Sequence, residues 1–406
     1  MKEKLKEFKD KRKKRITRTT FTIAEVAVIA FIAILFGGVL GSLIVFSKNG
    51  NDKYLEEFVT TYDNVVHEYY KKLNKSELID AAIAGMVNYL GDPYSTYMDE
   101  EDTEEFNQTV QGRYEGIGVS VSLVESKPTV VSIFENSPAA RIGVQVGDVI
   151  TKVDGVSVEG KSLNDVVLMI KKKDEVKLEI LRGEEKKLFK ISLDRVELPS
   201  VASKIVEKNG KKVGVITVSV FASNTYSQFH THLKKLEKKK IDGLVIDVRD
   251  NPGGHLDQVT KIISLFLDKS KVIYQINSNG KKTKVYSTSS EKREYPISVL
   301  INKGSASASE ILAGAMKESY GATLVGIKSY GKGTVQKEYS LSSGSSIKYT
   351  TETWLTPSGK SINKKGVEPD IEVVMDDKYR DTFKEEDDNQ FQKALDVVTE
   401  DKKSDK

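Results

Sequence analysis

Three serines stand at alternate positions in KGSASASEILAGAM: Ser305, Ser307 and Ser309, just before an apolar, helix-like run. A serine hydroxyl at a helix start has two uses. It caps the helix, and Ser307 with Glu310 forms the S-x-x-E pattern of a capping box ahead of Ile311, Leu312, Ala315 and Met316. It also attacks a carbonyl carbon if a base takes its proton. The segment follows the apolar run YPISVLIN, which places the serines at the C-terminal edge of a sheet, where α/β sites collect. From there the Ala308 N–H would point at an oxyanion formed on a carbonyl attacked by Ser307 Oγ.

Two side chains could be the base. His255, in DNPGGHLD, follows the run GLVIDVRD, and Lys332, in SYGKGTVQ, follows ATLVGI, so both fall at that same edge. A lysine accepts a proton only when neutral. Its ordinary pKa of ~10.4 must fall, which burial without a carboxylate partner achieves. The neighbours Tyr330, Gly331, Gly333, Thr334 and Val335 carry no charge. No G-x-S-x-G elbow is present, since Gly304-Ser305-Ala306 breaks it. Gly326 to Lys332 matches a phosphate-binding P-loop up to its last position, where Gly333 replaces the hydroxyl residue that would hold Mg²⁺. The following TVQKEYSLSSGSSIKYTTETW alternates like strands, whereas a P-loop must open a helix. Ser329 and Lys332 also spell S-x-x-K, a pattern that needs a helix absent here.

The chain has no cysteine, which excludes disulfides, thiol catalysis and Cys-based zinc sites. Its four histidines, His67, His230, His232 and His255, show no metal-motif spacing, and no cofactor is expected. The net charge of +4 is unevenly placed: residues 1–20 hold ten Lys/Arg against Glu3, Glu7 and Asp10. A basic tract could bind nucleic acid, but the uncharged run Val26 to Phe46 behind it points elsewhere. Those 21 residues could cross a ~30 Å hydrocarbon layer as one helix with a cytoplasmic N-terminus. The expectation is a single-pass plasma-membrane protein with an extracytoplasmic catalytic domain and no nucleic-acid partner. A cleaved signal peptide is the alternative. The run exceeds the usual ~7–15 apolar residues of one and shows no clear cleavage site, although Gly41-Ser42-Leu43 keeps cleavage open.

The elements that must position these residues are legible as periodicities. Residues 52–111 read as helical, with Leu55, Phe58, Val59, Tyr62, Val65 and Val66 near a 3.6 period. Residues 112–198 form short β-rich runs around one amphipathic segment, SLNDVVLMIKKK. From Val201 to Asp376, continuous apolar strands alternate with helices, which implies a largely parallel sheet covered on both faces. DNQFQKALDVV reads as a last amphipathic helix before a charged end.

RDNPGG (249–254), GSASASEILAGAM (304–316), GKGTVQ (331–336) and TPSGKSINKKGVEPDIEV (356–373) together resemble the carboxyl-terminal processing proteases, the tail-specific serine peptidases. The resemblance covers residues 52–398 and implies a nucleophile at Ser307, a general base at Lys332 and a lysine-orienting role for Gln336. It implies an oxyanion hole at Gly254 and Ala308, and a PDZ carboxylate-binding loop at Gly116, Ile117, Gly118 and Val119. Ile170-Lys171-Lys172 departs from the family's Ile-Arg-Gly. Asp92-Pro93-Tyr94-Ser95 departs from its Asp-Pro-His-Ser and reads as a packing change without chemical consequence.

The expected architecture is a mixed α/β and β multidomain chain. It comprises a basic cytoplasmic segment (1–25), a transmembrane anchor (26–46), a helical region (47–111), a PDZ domain (112–198), an α/β Ser-Lys protease core (199–376) and a charged helical tail (377–406). The expected activity is a membrane-anchored serine endopeptidase that captures free apolar C-termini of unfolded or tailed proteins. A tethered peptide-binding protein with an inactive protease-like domain is the alternative, and a homodimer through the terminal helical segments is left open.

Overall fold

The computed structural model describes residues 53–400, apart from positions 172 and 291. The chain divides into two compact units, one through Ala81 and one from Ala82 onward. The first holds helix Lys53–Glu68 and the start of helix Lys75–Tyr89.

The membrane anchor expected above is corrected here. Crossing the hydrocarbon layer takes about 20 apolar residues in one helix. Among the described residues no helix is long and apolar enough to cross a membrane. The 16-residue helix Lys53–Glu68 is too short and carries Glu56, Glu57 and Asp63. Residues 1–25 and 26–46, on which the cytoplasmic segment and the anchor were placed, lie outside the described residues. The single-pass plasma-membrane placement is corrected with it, since no described helix supports it.

In the second unit, a six-stranded sheet runs in the order Val201–Lys208, Lys211–Val218, Gly243–Asp247, Ile297–Ile301, Thr323–Gly326, Ile371–Glu372. Its first pair is antiparallel and every later pair parallel. The central strands are apolar throughout because both faces are covered. Leu244, Ile246, Val299, Ile301 and Leu324 face helices Thr225–Lys238, Leu256–Ser264 and Ala308–Ala315 through Phe229, Leu233, Ile262, Ile311 and Leu312. The alternate residues Val213, Val215, Val245, Leu300 and Val325 face helix Asn389–Thr399 through Phe391, Ala394, Leu395 and Val398. Arg249 fastens that helix to the end of strand Gly243–Asp247, donating to Asp247, Asp388 and Gln390.

An antiparallel sheet lies beside this layer, built from Thr96–Met98, Val272–Ser278, Lys281–Tyr286, Thr334–Ser340 and Ser346–Leu355. Its hairpin Val272–Ser278/Lys281–Tyr286 was absent from the sequence reading. The signal was there: Asn279-Gly280, with φ of 50° and 87°, is the two-residue turn that twisted hairpins favour.

The strand-rich unit has the sheet order Val119–Val124, Lys127–Ile133, Val149–Val153, Glu175–Arg182, Glu185–Ser192. Its core packs Val130, Ile150, Leu178, Ile180 and Ile191 against Val166 and Ile170 of helix Leu163–Lys171. Strand Val119–Val124 is at the sheet's edge.

One helix covers the second face of the parallel sheet, so its largest side chain should matter. Phe391→Ala is expected to lower unfolding free energy by about 3–5 kcal/mol, read as a lower urea midpoint. An unchanged midpoint would contradict this packing.

Candidate active site

Loops at the C-terminal edge of the parallel sheet, helix Glu100–Gln111 and strands Thr334–Ser340 and Ser346–Leu355 line one cleft of about 550 Å³. Its lining includes Gly254, His255, Ser307, Ala308, Lys332 and Gln336, with Val220, Leu256, Ile311, Val335 and Trp354 as apolar walls.

The three serines separate clearly. Ser305 is fully buried, and its hydroxyl donates to the Val248 carbonyl at 2.7 Å. Ser309 is fully buried, and its hydroxyl donates to the Asn251 carbonyl at 2.9 Å. Only Ser307 of the three lines the cleft. It precedes helix Ala308–Ala315 with φ of 55°, a left-handed conformation that a serine adopts only when its surroundings enforce it. Enforcement comes from Glu310, a carboxylate with no solvent exposure. It accepts from the Ser307 N–H at 2.9 Å, the Lys332 N–H at 2.9 Å, the Gly331 N–H at 2.7 Å and the Ser329 hydroxyl at 2.5 Å. One buried side chain therefore fixes the backbone of both Ser307 and Lys332.

The Asn251-to-Gly254 loop abuts Ser307. Buried Asn251 donates through Nδ2 to the Val218 carbonyl, and its own carbonyl accepts from the Ala306 N–H. Gly253 and Gly254 have φ of 107° and 136°, and a methyl group at Gly254 would fall 2.3 Å from the Phe221 carbonyl oxygen. Only glycine fits so close an approach. The His255 N–H donates to that same oxygen, and the Phe221 N–H donates to the Gly253 carbonyl. No backbone carbonyl of the described residues accepts from the Gly254 or Ala308 N–H.

Lys332 is half-buried. Its amine is held below the usual lysine range, chiefly by burial and further by the nearby Lys348, with Asp92 and Glu310 acting against this. It makes no ion pair among the described residues. Neither Ser307 Oγ nor Gln336 is hydrogen-bonded to Lys332 Nζ. The amine instead lies 4.9 Å from the centre of the Tyr94 ring. Gln336 Nε2 donates to Thr334 Oγ1 at 2.8 Å and Thr350 Oγ1 at 3.1 Å. Thr350 in turn donates to Asp92 Oδ2 at 2.6 Å. Burial pushes the Asp92 carboxyl up, but bonds from Ser95, Thr350 and the Tyr94 N–H outweigh it and leave it low.

The Tyr94 position, read above as a packing change without chemical consequence, makes a contact the sequence did not show: its ring lies against the Lys332 amine. Its phenol is pushed up to about 12, chiefly by burial and also by Tyr330, so it offers the lysine a neutral ring. Glu310 was visible only as a cap and Asp92 only as the first residue of a family motif with no role assigned to it, while Thr350 and Lys348 carried no signal beyond their residue types. Trp354, the chain's one tryptophan, was a signal left unused: its Nε1 donates to the Lys332 carbonyl at 2.9 Å. The segment after Gly326 is a loop that leads into strand Thr334–Ser340, so no P-loop helix forms.

The peptide-binding residues predicted in the strand-rich unit occupy one turn. Gly116 ends strand Arg113–Gly116 and Val119 opens the edge strand Val119–Val124. Between them lie buried Ile117 and Gly118, the latter with φ of 81° and so close to Ser137 that a Cβ would clash.

Removing the shared carboxylate should loosen the site. Glu310→Ala strands several buried donors and is expected to cost about 1–3 kcal/mol for each one left unsatisfied, measured by chemical unfolding. Wild-type stability in that variant would contradict the role given to Glu310.

Comparison with known proteins identifies the family. The model of peptidase family S41 matches residues 212–373, that of the PDZ domain residues 116–193, and that of the activating protease CtpB N-terminal domain residues 45–102. The chain is 42% identical over 333 residues to the carboxy-terminal processing protease CtpB of Bacillus subtilis (strain 168), covering 81% of this chain and 69% of that relative. It is 40% identical over 325 residues to a probable CtpA-like serine protease of Staphylococcus aureus (strain MRSA252), covering 79% of this chain and 64% of that relative. A solved putative S41 protease from Bacteroides fragilis NCTC 9343 shares the fold at 16% identity, with a TM-score of 0.50 over 81% of this chain and 90% of that one. The chain belongs to the carboxy-terminal processing proteases of peptidase family S41, serine-type endopeptidases, and carries a PDZ domain.

Proposed function

We propose that the enzyme cleaves peptide bonds with a Ser307–Lys332 dyad and selects substrates by capturing a free, apolar C-terminus on its PDZ domain. The observation that carries this reading is the shared cleft. Ser307, Lys332 and two backbone N–H groups without carbonyl partners meet at one sheet edge.

Neutral Lys332 takes the Ser307 hydroxyl proton as Oγ bonds to the scissile carbonyl carbon. The carbonyl oxygen, now an oxyanion, receives the Gly254 and Ala308 N–H groups. The Lys332 ammonium then protonates the departing amine, which leaves Ser307 acylated. Lys332 next takes a proton from water, whose oxygen attacks the acyl carbon, and returns a proton to Ser307 Oγ. Substrate entry would draw the amine from the Tyr94 ring onto Ser307 Oγ, with Gln336 turning from Thr334 and Thr350 to orient it. Catalytic hydrogen bonds commonly tighten only once substrate is bound.

Capture of a C-terminus fits the Gly116–Val119 turn. Successive N–H groups there can clasp a carboxylate, while the adjacent edge strand pairs with the arriving chain. Polypeptides that are unfolded or end in a loose tail are the substrates this suits.

Ser307→Ala and Lys332→Ala are each expected to abolish cleavage of an unfolded test protein, while His255→Ala keeps most activity. Loss in His255→Ala with activity retained in Lys332→Ala would transfer the base role to His255. Because the base works unprotonated, kcat/KM should rise with pH along a limb centred well below ~10.4. A limb centred at an ordinary lysine value would contradict a depressed amine. A peptide amidated at its C-terminus should be processed more slowly than the free acid, and equal rates would remove the clasp.

A further inference from the structure

We propose that Lys348 is a positioning residue for the reaction, a second ammonium held in the active-site cleft that keeps the Lys332 amine unprotonated. This rests on the reading of Lys332 as the base.

Lys348 lies on strand Ser346–Leu355, two residues before Thr350 and six before Trp354. The period of two puts Lys348 and Thr350 on one face, and a register irregularity opposite Val335 and Gln336 interrupts that period before Trp354. Lys348 and Trp354 both line the cleft that holds Ser307 and Lys332. A lysine in a strand usually extends its ammonium into water. This one is half-buried, with Nζ 4.5 Å from the centre of the Phe106 ring. Phe106 belongs to helix Glu100–Gln111, which leads at Gly112 into the first strand beside the PDZ sheet. The aromatic face holds the cation without neutralising it. Glu338 is its cross-strand partner in register, yet no ion pair joins them among the described residues.

Lys332 thus shares a partly dry cleft with a like charge. A neighbouring cation disfavours the protonated form of an amine, and the effect grows as water is excluded. The other charged groups facing Lys332 are Asp92, before strand Thr96–Met98, and Glu310, in helix Ala308–Ala315. Both favour the protonated form, but both are occupied by other donors. Tyr94 contributes a neutral phenol, and His255, Asp257 and Glu338 line the same cleft. Burial lowers the Lys348 amine too, with Glu338 opposing. In this arrangement Lys348 is the cation that offsets the two carboxylates.

The test is kcat/KM against pH for cleavage of an unfolded protein by the full chain, with Lys348→Met and Lys348→Arg variants. Lys348→Met should move the acid limb upward by roughly 0.5–1 pH unit, about a 3–10-fold loss near neutrality that vanishes at high pH. Lys348→Arg keeps a cation there and should retain the wild-type limb. If Lys348→Met does not fold by circular dichroism, Lys348→Gln takes its place with the same expectation. An unshifted limb overturns the proposal, whether activity is unchanged or uniformly reduced through KM. A shift of equal size in Lys348→Arg overturns it too. Lys332→Ala is assayed alongside: activity there sinks the base assignment itself, whereas an inactive Lys332→Ala with an unshifted Lys348→Met sinks only the role of Lys348.

Discussion

In the proposed dyad a lysine amine takes the serine's proton only while it is itself uncharged, and the groups around Lys332 bear on that constraint. Lys332 has two carboxylates in its neighbourhood, either of which could hold it charged as an ion pair. Glu310 instead spends its oxygens on four donors: the Ser307, Gly331 and Lys332 N–H groups and the Ser329 hydroxyl. Asp92 spends its own on Ser95, Thr350 and the Tyr94 N–H. Both acids thus do structural service, and the amine is left with an aromatic ring and the cleft's apolar walls.

The scaffold makes this possible by bringing distant segments to one edge. Parallel strands end side by side, so the loops after Gly243–Asp247, Ile297–Ile301 and Thr323–Gly326 emerge together. Buried polar groups then stitch the loops to one another. Asn251 bonds the first to the second, and Glu310 the second to the third. Unsatisfied groups at such depth would be costly, so each bond both stabilises the loops and restricts them to one arrangement. Helix Asn389–Thr399 supports the sheet from behind, tied through Asp388 to Arg249 in the first of these loops.

Much of this layout was legible because it is periodic. Apolar runs such as GLVIDVRD and YPISVLIN, alternating with amphipathic helices, specify covered parallel strands, and chain order then gives the active edge. Spacing alone could not choose among three serines, because the choice lies in where each hydroxyl points. Ser305 and Ser309 point at backbone carbonyls inside the protein. Contacts made across long sequence separations were not legible either. Tyr94 meets Lys332 because strand Thr96–Met98 pairs with Ser346–Leu355, and Lys348 meets Phe106 for the same reason. No local pattern encodes that register. The expected membrane helix shows the opposite limit: a hydropathy run implies a span, and no described helix supplies one.

Direct titration of the Lys332 side chain tests this account at its centre. With lysine side chains isotopically labelled and Lys332 assigned by comparison with Lys332→Arg, its resonance should titrate well below the ~10.4 of a free lysine. A midpoint at or above that value in the folded enzyme would mean the amine stays charged at working pH, and the proposed dyad could not operate.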